Sequence, residues 1–292
     1  MRLRSLLFVP GDSERKFAKA VTVGADGLIL DLEDAVAPSR KADARWMVRD
    51  LLADQGARAW NFWVRINALD TGLTLDDLGA VVRPGLDGVM VPKANGAADI
   101  VRIGHYLDAL EAQAGMAAGT VKLVVVSTET PRAMFNLGTY APAPPRLAGL
   151  TWGAEDLGAA IGATANKEAD GEWSFPYRVA RSMCLFAAAA ADVAPIDTLY
   201  ADFRDMEGLA ASCRISRRDG FTGRIAIHPD QVETINRCFT PAPGDVAHAR
   251  AVVDAFAAAP DAGTIGIDGK MYDIPHLKQA RRVLAAVNES QP

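Results

Sequence analysis

The sequence predicts an α/β fold, a (β/α)8 TIM barrel with a C-terminal helical extension. Three observations lead there. Eight short apolar runs recur over roughly the first 240 residues. Each is followed by a turn signal and then a helical pattern. The runs are continuous rather than alternating, which marks strands buried on both faces and hence a parallel sheet covered by helices. Eight such units in about 240 residues match the usual size of a (β/α)8 barrel. An open doubly wound sheet is the rival architecture, but no G-x-G-x-x-G follows any of the runs.

Leu6–Val9 opens the series. It ends at Pro10-Gly11 and is too short for the core of a signal peptide, so it reads as a first buried strand. Asp12-Ser13 suits the N-cap of a helix over Glu14–Val23. Leu28–Leu32 is the second strand, and Pro38 fits the first turn before a helix over Ser39–Leu52. Phe62–Ile66 and Gly88–Val91 are the third and fourth, with a helix over Ala97–Gln113 behind them. Leu123–Val126 and Leu147–Trp152 follow, then a helix over Tyr177–Asp192. Thr198–Ala201 and Arg224–Ile227 are read as strands seven and eight, and Pro229-Asp230 opens a helix over Val232–Cys238. Pro241-Ala242-Pro243-Gly244 reads as a linker. The chain thus divides into a barrel over residues 1–240 and an extension over 241–292. The extension holds a helix (Asp245–Ala258), a turn-rich stretch (Thr264–Pro275) and a final helix (His276–Asn288). It is too small for an independent core, and is expected to fold as a lid over a barrel, its own or a neighbour's.

Composition narrows the function. The formal net charge is −5, from 31 basic and 36 acidic residues, with no basic block, which argues against nucleic acid as a partner. No stretch approaches the roughly 20 apolar residues of a membrane span. The three cysteines, Cys184, Cys213 and Cys238, are odd in number and widely spaced, with no C-x-x-C pair. That argues against a disulfide framework and a zinc site, and fits a reducing cytoplasm.

Active sites of such barrels lie at the C-terminal ends of the strands. The polar residues that end the runs are Asp31, Glu33 and Asp34; Arg65 and Asn67; Lys93; Glu129; Glu155 and Asp156; Asp202; and His228. Carboxylates converging from several strands suit a hard divalent cation such as Mg²⁺. The four histidines are scattered, without H-E-x-x-H, so zinc is disfavoured. There is no G-x-S-x-G for nucleophilic catalysis. A Schiff-base mechanism has one candidate, Lys93. Structural roles stand beside the functional ones. Asp31, Glu33 or Asp34 suits capping of the next turn, Arg65 suits an ion pair with Glu33 or Asp34, and Asp202 suits a polar layer under the mouth. Glu129 and Asp156 fit a structural role least well, because they follow strongly apolar, adjacent strands.

The chain resembles the citrate lyase β-subunit-like branch of the HpcH/HpaI aldolase superfamily, which includes malyl-CoA and citramalyl-CoA lyases. The resemblance runs nearly end to end: RSLLFVPG from Arg4, ADGLILDLEDAV from Ala25, VRIN from Val64, DGVMVPKA from Asp87, ETPRA from Glu129, WGAEDL from Trp152, GFTGRIAIHPDQV from Gly220 and GKMYDIPH from Gly269. It implies a Mg²⁺-dependent homo-oligomer, trimeric or hexameric. Its substrates would be 3-hydroxyacyl-CoA thioesters, cleaved to an acyl-CoA and a 2-oxo acid such as pyruvate or glyoxylate. By position, Glu129 and Asp156 match the metal ligands, Arg65 the arginine on the oxo-acid oxygens, and Glu33 and Asp34 the acidic pair that supports that arginine and the metal waters. Asp273 matches the catalytic carboxylate of a lid supplied to a neighbouring subunit. For a CoA substrate, Arg15, Lys16 and Lys19 are candidates to meet the phosphates, and Lys93 is a further substrate-binding candidate. A carrier-protein citryl thioester and a CoA-independent oxo acid are the alternative substrates. The stretch from Thr164 to Phe175 matches the family poorly and follows strand six, where it would shape the entrance.

Overall fold

The computed structural model describes residues 1–53 and 56–288. The chain divides into two compact units. One spans Leu3–Asn236; the other joins Met1–Arg2 to the chain from Arg237 onward.

The first unit is a closed barrel of eight parallel strands in sequential order. In chain order its elements are β1 (Ser5–Pro10), α1 (Glu14–Ala20), β2 (Gly27–Asp31), α2 (Lys41–Ala53), β3 (Asn61–Arg65), α3 (Thr74–Val81), β4 (Gly88–Val91), α4 (Ala97–Gln113), β5 (Lys122–Val126), α5 (Pro131–Asn136), β6 (Leu147–Thr151), α6 (Glu155–Ile161), α7 (Phe175–Ala190), β7 (Ala194–Asp197), α8 (Met206–Asp219), β8 (Gly223–Ala226) and α9 (Gln231–Phe239). β8 closes the ring on β1, with Leu6 opposite Ile225. Ser13 caps α1 as its sequence suggests, its side chain accepting from the Lys16 N–H. Thr130 does the same for α5, with proline in the first turn.

Leu6, Ile29, Trp63, Met90, Val124, Ile196 and Ile225 form one buried cluster contributed by seven of the strands. Trp63 dominates it, fully buried. Two glycines on the neighbouring strands make room for its indole. A Cβ on Gly88 would stand 2.1 Å from Trp63 Cζ3, and one on Gly27 would stand 3.1 Å from Trp63 Cδ1. Forcing extra carbon into such a core costs about 1–3 kcal/mol or more.

Strand seven is the misplaced strand of the barrel. The sequence suggests Thr198–Ala201, whereas β7 is Ala194–Asp197. The true strand contains Pro195, which has no N–H to give a ladder. The barrel uses only its carbonyl there, which accepts from the Thr222 N–H at 2.9 Å. Asp202 consequently sits in the exposed loop before α8, not at a strand end or in a polar layer under the mouth. The residue that does end β7 is Asp197, which has no exposed surface. Its Oδ1 accepts from Trp152 Nε1 at 2.6 Å. Its Oδ2 accepts from Ser216 Oγ at 2.6 Å, Arg181 Nη2 at 3.0 Å and Arg224 Nη2 at 3.2 Å. Burial alone would raise its pKa, but the two guanidiniums, the hydroxyl and the indole hold it below the usual carboxylate range.

The second unit contains α10 (Pro243–Ala258), β9 (Thr264–Ile267), β10 (Lys270–Asp273) and α11 (Ile274–Asn288). Ala249, Val252, Phe256, Leu277 and Ala280 form its small core. The stretch expected to be turn-rich is an antiparallel hairpin, with Lys270 opposite Ile267. Asp268 and Gly269 turn it at φ +50° and +75°. Asp-Gly is favoured in such a two-residue turn because both positions need positive φ. Among the described residues, no helix is long and apolar enough to cross a membrane.

Candidate active site

The strand register assembles the site. Asp31 and Arg65 are the last residues of β2 and β3 and lie opposite one another. Side chains at paired positions of neighbouring strands point to the same face, so a carboxylate and a guanidinium meet at the barrel mouth. Arg65 Nε donates to Asp31 Oδ1 at 2.7 Å and Nη2 to Oδ2 at 2.6 Å. The guanidinium also lies over the Phe8 ring, 4.6 Å from its centroid. Asp31 is buried, and accepts from the N–H groups of Glu33 and Ala35 as well. It is both the turn cap and the holder of Arg65.

Glu33 approaches the same guanidinium from another side, its Oε2 3.1 Å from Arg65 Nη1. The contact is close in charge but off the hydrogen-bond direction, and Oε2 has no hydrogen-bond partner although buried. Asp34 does not join the arginine. Its carboxylate lies 3.3 Å from Lys93 Nζ and is largely exposed. The support expected from Glu33 and Asp34 is therefore divided differently. Asp31 and Glu33 hold Arg65, and Asp34 belongs to the lysine.

Lys93 stands at the centre of the remaining carboxylates. Its Nζ donates to Glu33 Oε1 at 2.5 Å and lies 3.5 Å from Asp156 Oδ1. Its backbone N–H donates to Glu129 Oε2 at 2.5 Å. Burial would lower the pKa of the ammonium, but the Glu33 hydrogen bond and the nearby carboxylates raise it above the ordinary lysine value. A Schiff base needs a neutral amine, so this environment speaks against that mechanism.

Glu129 follows β5 and is buried. Burial, reinforced by the charges of Glu33 and Asp156, pushes its carboxyl up to about 8. Gly153, after β6, makes room for it, since a Cβ there would lie 2.9 Å from Glu129 Cγ. Asp156 sits in the first turn of α6 and is partly exposed. Glu33, like Glu129, is raised mainly by burial.

Among the described residues, the cationic side chains that meet the carboxylates of Asp31, Glu33, Asp34 and Asp156 are Arg65 and Lys93, and Glu129 meets the Lys93 backbone N–H. The donor set is all oxygen and its surplus charge is negative, which fits a hard divalent cation. Among the described residues, no three Asp, Glu, His or Cys side chains converge closely enough to hold an ion by themselves. Mg²⁺ commonly takes one or two carboxylates and fills the rest of its shell with water and substrate oxygens.

Other predicted residues take no part in these contacts. Arg15, Lys16 and Lys19 are exposed on α1. Asp273 is in the second unit, at the end of β10, where His276 Nδ1 lies 2.5 Å from its Oδ1. That hydrogen bond holds the Asp273 carboxyl below its usual range. Sequence reasoning missed Gly153, the Lys93 backbone and the tie between Asp31 and Arg65. Asp31 was visible as a strand-end carboxylate facing the equally terminal Arg65, once the register is known. Gly153 and the Lys93 backbone left no signal in residue type.

The family described as HpcH/HpaI aldolase/citrate lyase matches residues 4–229. The citrate lyase subunit beta of Haemophilus influenzae is 32% identical over 96% of this chain and 95% of its own length. A (3S)-malyl-CoA thioesterase of Cereibacter sphaeroides is 35% identical over 97% of this chain and 93% of its own. Among solved structures, CitE of Mycobacterium tuberculosis in complex with magnesium, acetoacetate and coenzyme A superposes with a TM-score of 0.77 at 33% identity, covering 98% of both chains. The citrate lyase beta subunit of the same organism with oxaloacetate and magnesium gives 0.69 at 34% identity, over 82% of this chain and 98% of that one.

Proposed function

The chain belongs to the HpcH/HpaI aldolase/citrate lyase family of carbon–carbon lyases, and on that premise we propose that it is a Mg²⁺-dependent lyase of a 3-hydroxyacyl-CoA. The substrate would be of the malyl-CoA or citramalyl-CoA type, and the products an acyl-CoA and glyoxylate or pyruvate. The observation that carries this reading is that Glu129 and Asp156, which follow successive strands, both meet Lys93, one at its backbone N–H and the other at its ammonium, beside an arginine gripped on one edge. The magnesium, acetoacetate and coenzyme A in one similar structure support it.

Glu129 and Asp156 would hold the ion. When bound, Mg²⁺ supplies Lewis-acid polarisation of the substrate hydroxyl and neighbouring carboxylate. Arg65 spends Nε and one Nη2 hydrogen on Asp31 and brings Nη1 against Glu33, which leaves the second Nη2 hydrogen and one on Nη1 for the oxo-acid carboxylate. Asp31 fixes the plane of that fork. In cleavage, the hydroxyl would pass its proton to water at the mouth, the bond between the carbinol carbon and the carbon next to the thioester breaks, and the electron pair passes into the thioester enolate. The enolate carbon then takes up a proton. Asp273 is our candidate for that transfer, delivered to the site of a neighbouring subunit, and Arg15 and Lys19 are candidates for the CoA phosphates. Condensation uses the same groups in reverse.

A homo-oligomer is part of this proposal. Phe175, Val179, Met183 and Phe186 are exposed at helical spacing along α7, and exposed apolar stripes of this kind mark interaction surfaces. The compartment we assign is the cytoplasm, in keeping with three free cysteines. The test is turnover of the purified protein, with Mg²⁺, against a panel of 3-hydroxyacyl-CoAs and a citryl thioester. Cleavage of the CoA substrates is expected, and Glu129→Gln or Asp156→Asn should abolish it together with Mg²⁺ binding. Turnover of the citryl carrier thioester alone would reassign the protein as a citrate lyase β subunit.

A further inference from the structure

We propose that Lys93 is the resident counter-ion of the carboxylate cluster, and that its ammonium limits the affinity of the site for a divalent cation. Two different groups of this one residue tie the cluster together. The backbone N–H fixes Glu129 Oε2 at 2.5 Å, and the ammonium meets Glu33 at 2.5 Å, Asp34 at 3.3 Å and Asp156 at 3.5 Å. The main chain at Lys93 is in the left-handed region, φ +50°, which is uncommon for a residue other than glycine. Backbone strain is kept at a position whose N–H is aimed at a buried carboxylate.

The two groups have separable tasks. The amide places Glu129 whatever the side chain is. The ammonium offsets the mutual repulsion of Glu33, Asp34 and Asp156, which it meets directly, beside the buried Glu129. In the metal-free protein that charge keeps the carboxylates assembled. A divalent cation drawn to Glu129 and Asp156 then meets a like charge already in contact with Asp156, and the same ammonium opposes its entry. Lys93 therefore exchanges some metal affinity for a site that is preformed when empty.

The inference rests on the Mg²⁺ reading above, and the experiment separates the two. Mg²⁺ is titrated calorimetrically into the full-length wild type, Lys93→Met and Lys93→Asn, and thermal unfolding is followed with and without the ion. Removing a like charge at this range should tighten Mg²⁺ binding on the order of tenfold. Both variants should melt lower than wild type without metal and recover when it is added. Asn accepts the left-handed backbone, so Lys93→Asn keeps the amide on Glu129 and guards against a backbone effect of Lys93→Met. Mg²⁺ affinity that is unchanged or weaker in the variants overturns the role of Lys93 while leaving the metal reading intact. Wild type that binds no Mg²⁺ overturns both. Failure of both variants to fold even with Mg²⁺ makes the lysine a structural cross-link and overturns the proposal.

Discussion

Arg65 is held along one edge by Asp31, and the role proposed for it depends on that edge being fixed. Asp31→Asn removes the charge and turns one acceptor into a donor facing a guanidinium. Leaving a buried cation partly unpaired costs about 3–5 kcal/mol. The expected outcome is a lowered melting temperature and a loss of pyruvate or glyoxylate affinity comparable to that of Arg65→Lys, which keeps charge but loses the planar fork. Retention of near wild-type oxo-acid affinity by Arg65→Lys would show the arginine to be structural. Glu129 gives a second prediction, from its pKa of about 8. Between the usual glutamate range and that value, the folded metal-free protein holds a proton that the unfolded chain has lost. Stability of the metal-free protein from this group is therefore present at low pH, falls as pH rises toward about 8, and is flat above it. Mg²⁺ needs the ionised carboxylate, so its affinity should rise over the same window, with a proton released on binding. Calorimetry in buffers of different ionisation enthalpy counts that proton, and binding without pH dependence from 6 to 9 (roughly two pKa-widths around the group) would remove Glu129 from the ligand set.

At the scale of elements, what was legible in the sequence follows from burial. β1 through β6 and β8 announce themselves because strands covered on both faces must be apolar throughout, and the groups that end them fall at the mouth by topology alone. β7 hides because Pro195 sits inside it and because Leu199 and Tyr200 beyond it imitate a strand. With it was lost Asp197, whose contacts join β6, α7, α8 and β8. The hairpin of the second unit was legible in Asp268-Gly269 between the short runs Thr264–Ile267 and Lys270–Asp273, although the same stretch reads as turn-rich. The Arg65–Asp31 pairing was only half legible, since residue types are visible in a sequence and strand register is not. Asp197→Ala tests the weight of the missed element. It strands Arg224, leaves Arg181 with Asp219 alone and frees the Trp152 indole, so it should lower unfolding free energy by about 3–5 kcal/mol. Denaturant unfolding measures this, and a change below about 1 kcal/mol would mean that the network relaxes onto water.

For the whole molecule, the open question is where Asp273 acts. Its unit has a core of its own but carries only one member of the proposed chemistry. If the carboxylate serves a neighbouring subunit, Asp273→Ala should bind Mg²⁺ and oxo acid normally yet turn over at least about a hundredfold more slowly, as loss of a proton-transfer group does. Subunit exchange between Asp273→Ala and Glu129→Gln should then restore activity, because mixed oligomers contain sites with both groups intact. Exchange without recovery refutes sharing, and normal turnover by Asp273→Ala alone refutes the catalytic role.

The segment joining α6 to α7 is mostly exposed, closed on itself by a single bridge between Lys167 and Trp173. Trp173 meets Trp152 edge-on, with ring centroids 5.1 Å apart. The charged groups of the site lie instead on and just after the ends of β2 to β6, locked to one another. Chemistry and surface are therefore built from separable parts. Lineages descending from such a barrel are free to rewrite this excursion while the locked charges at the strand ends stay in place. A protein engineer grafting loops from related lyases would begin at the same place.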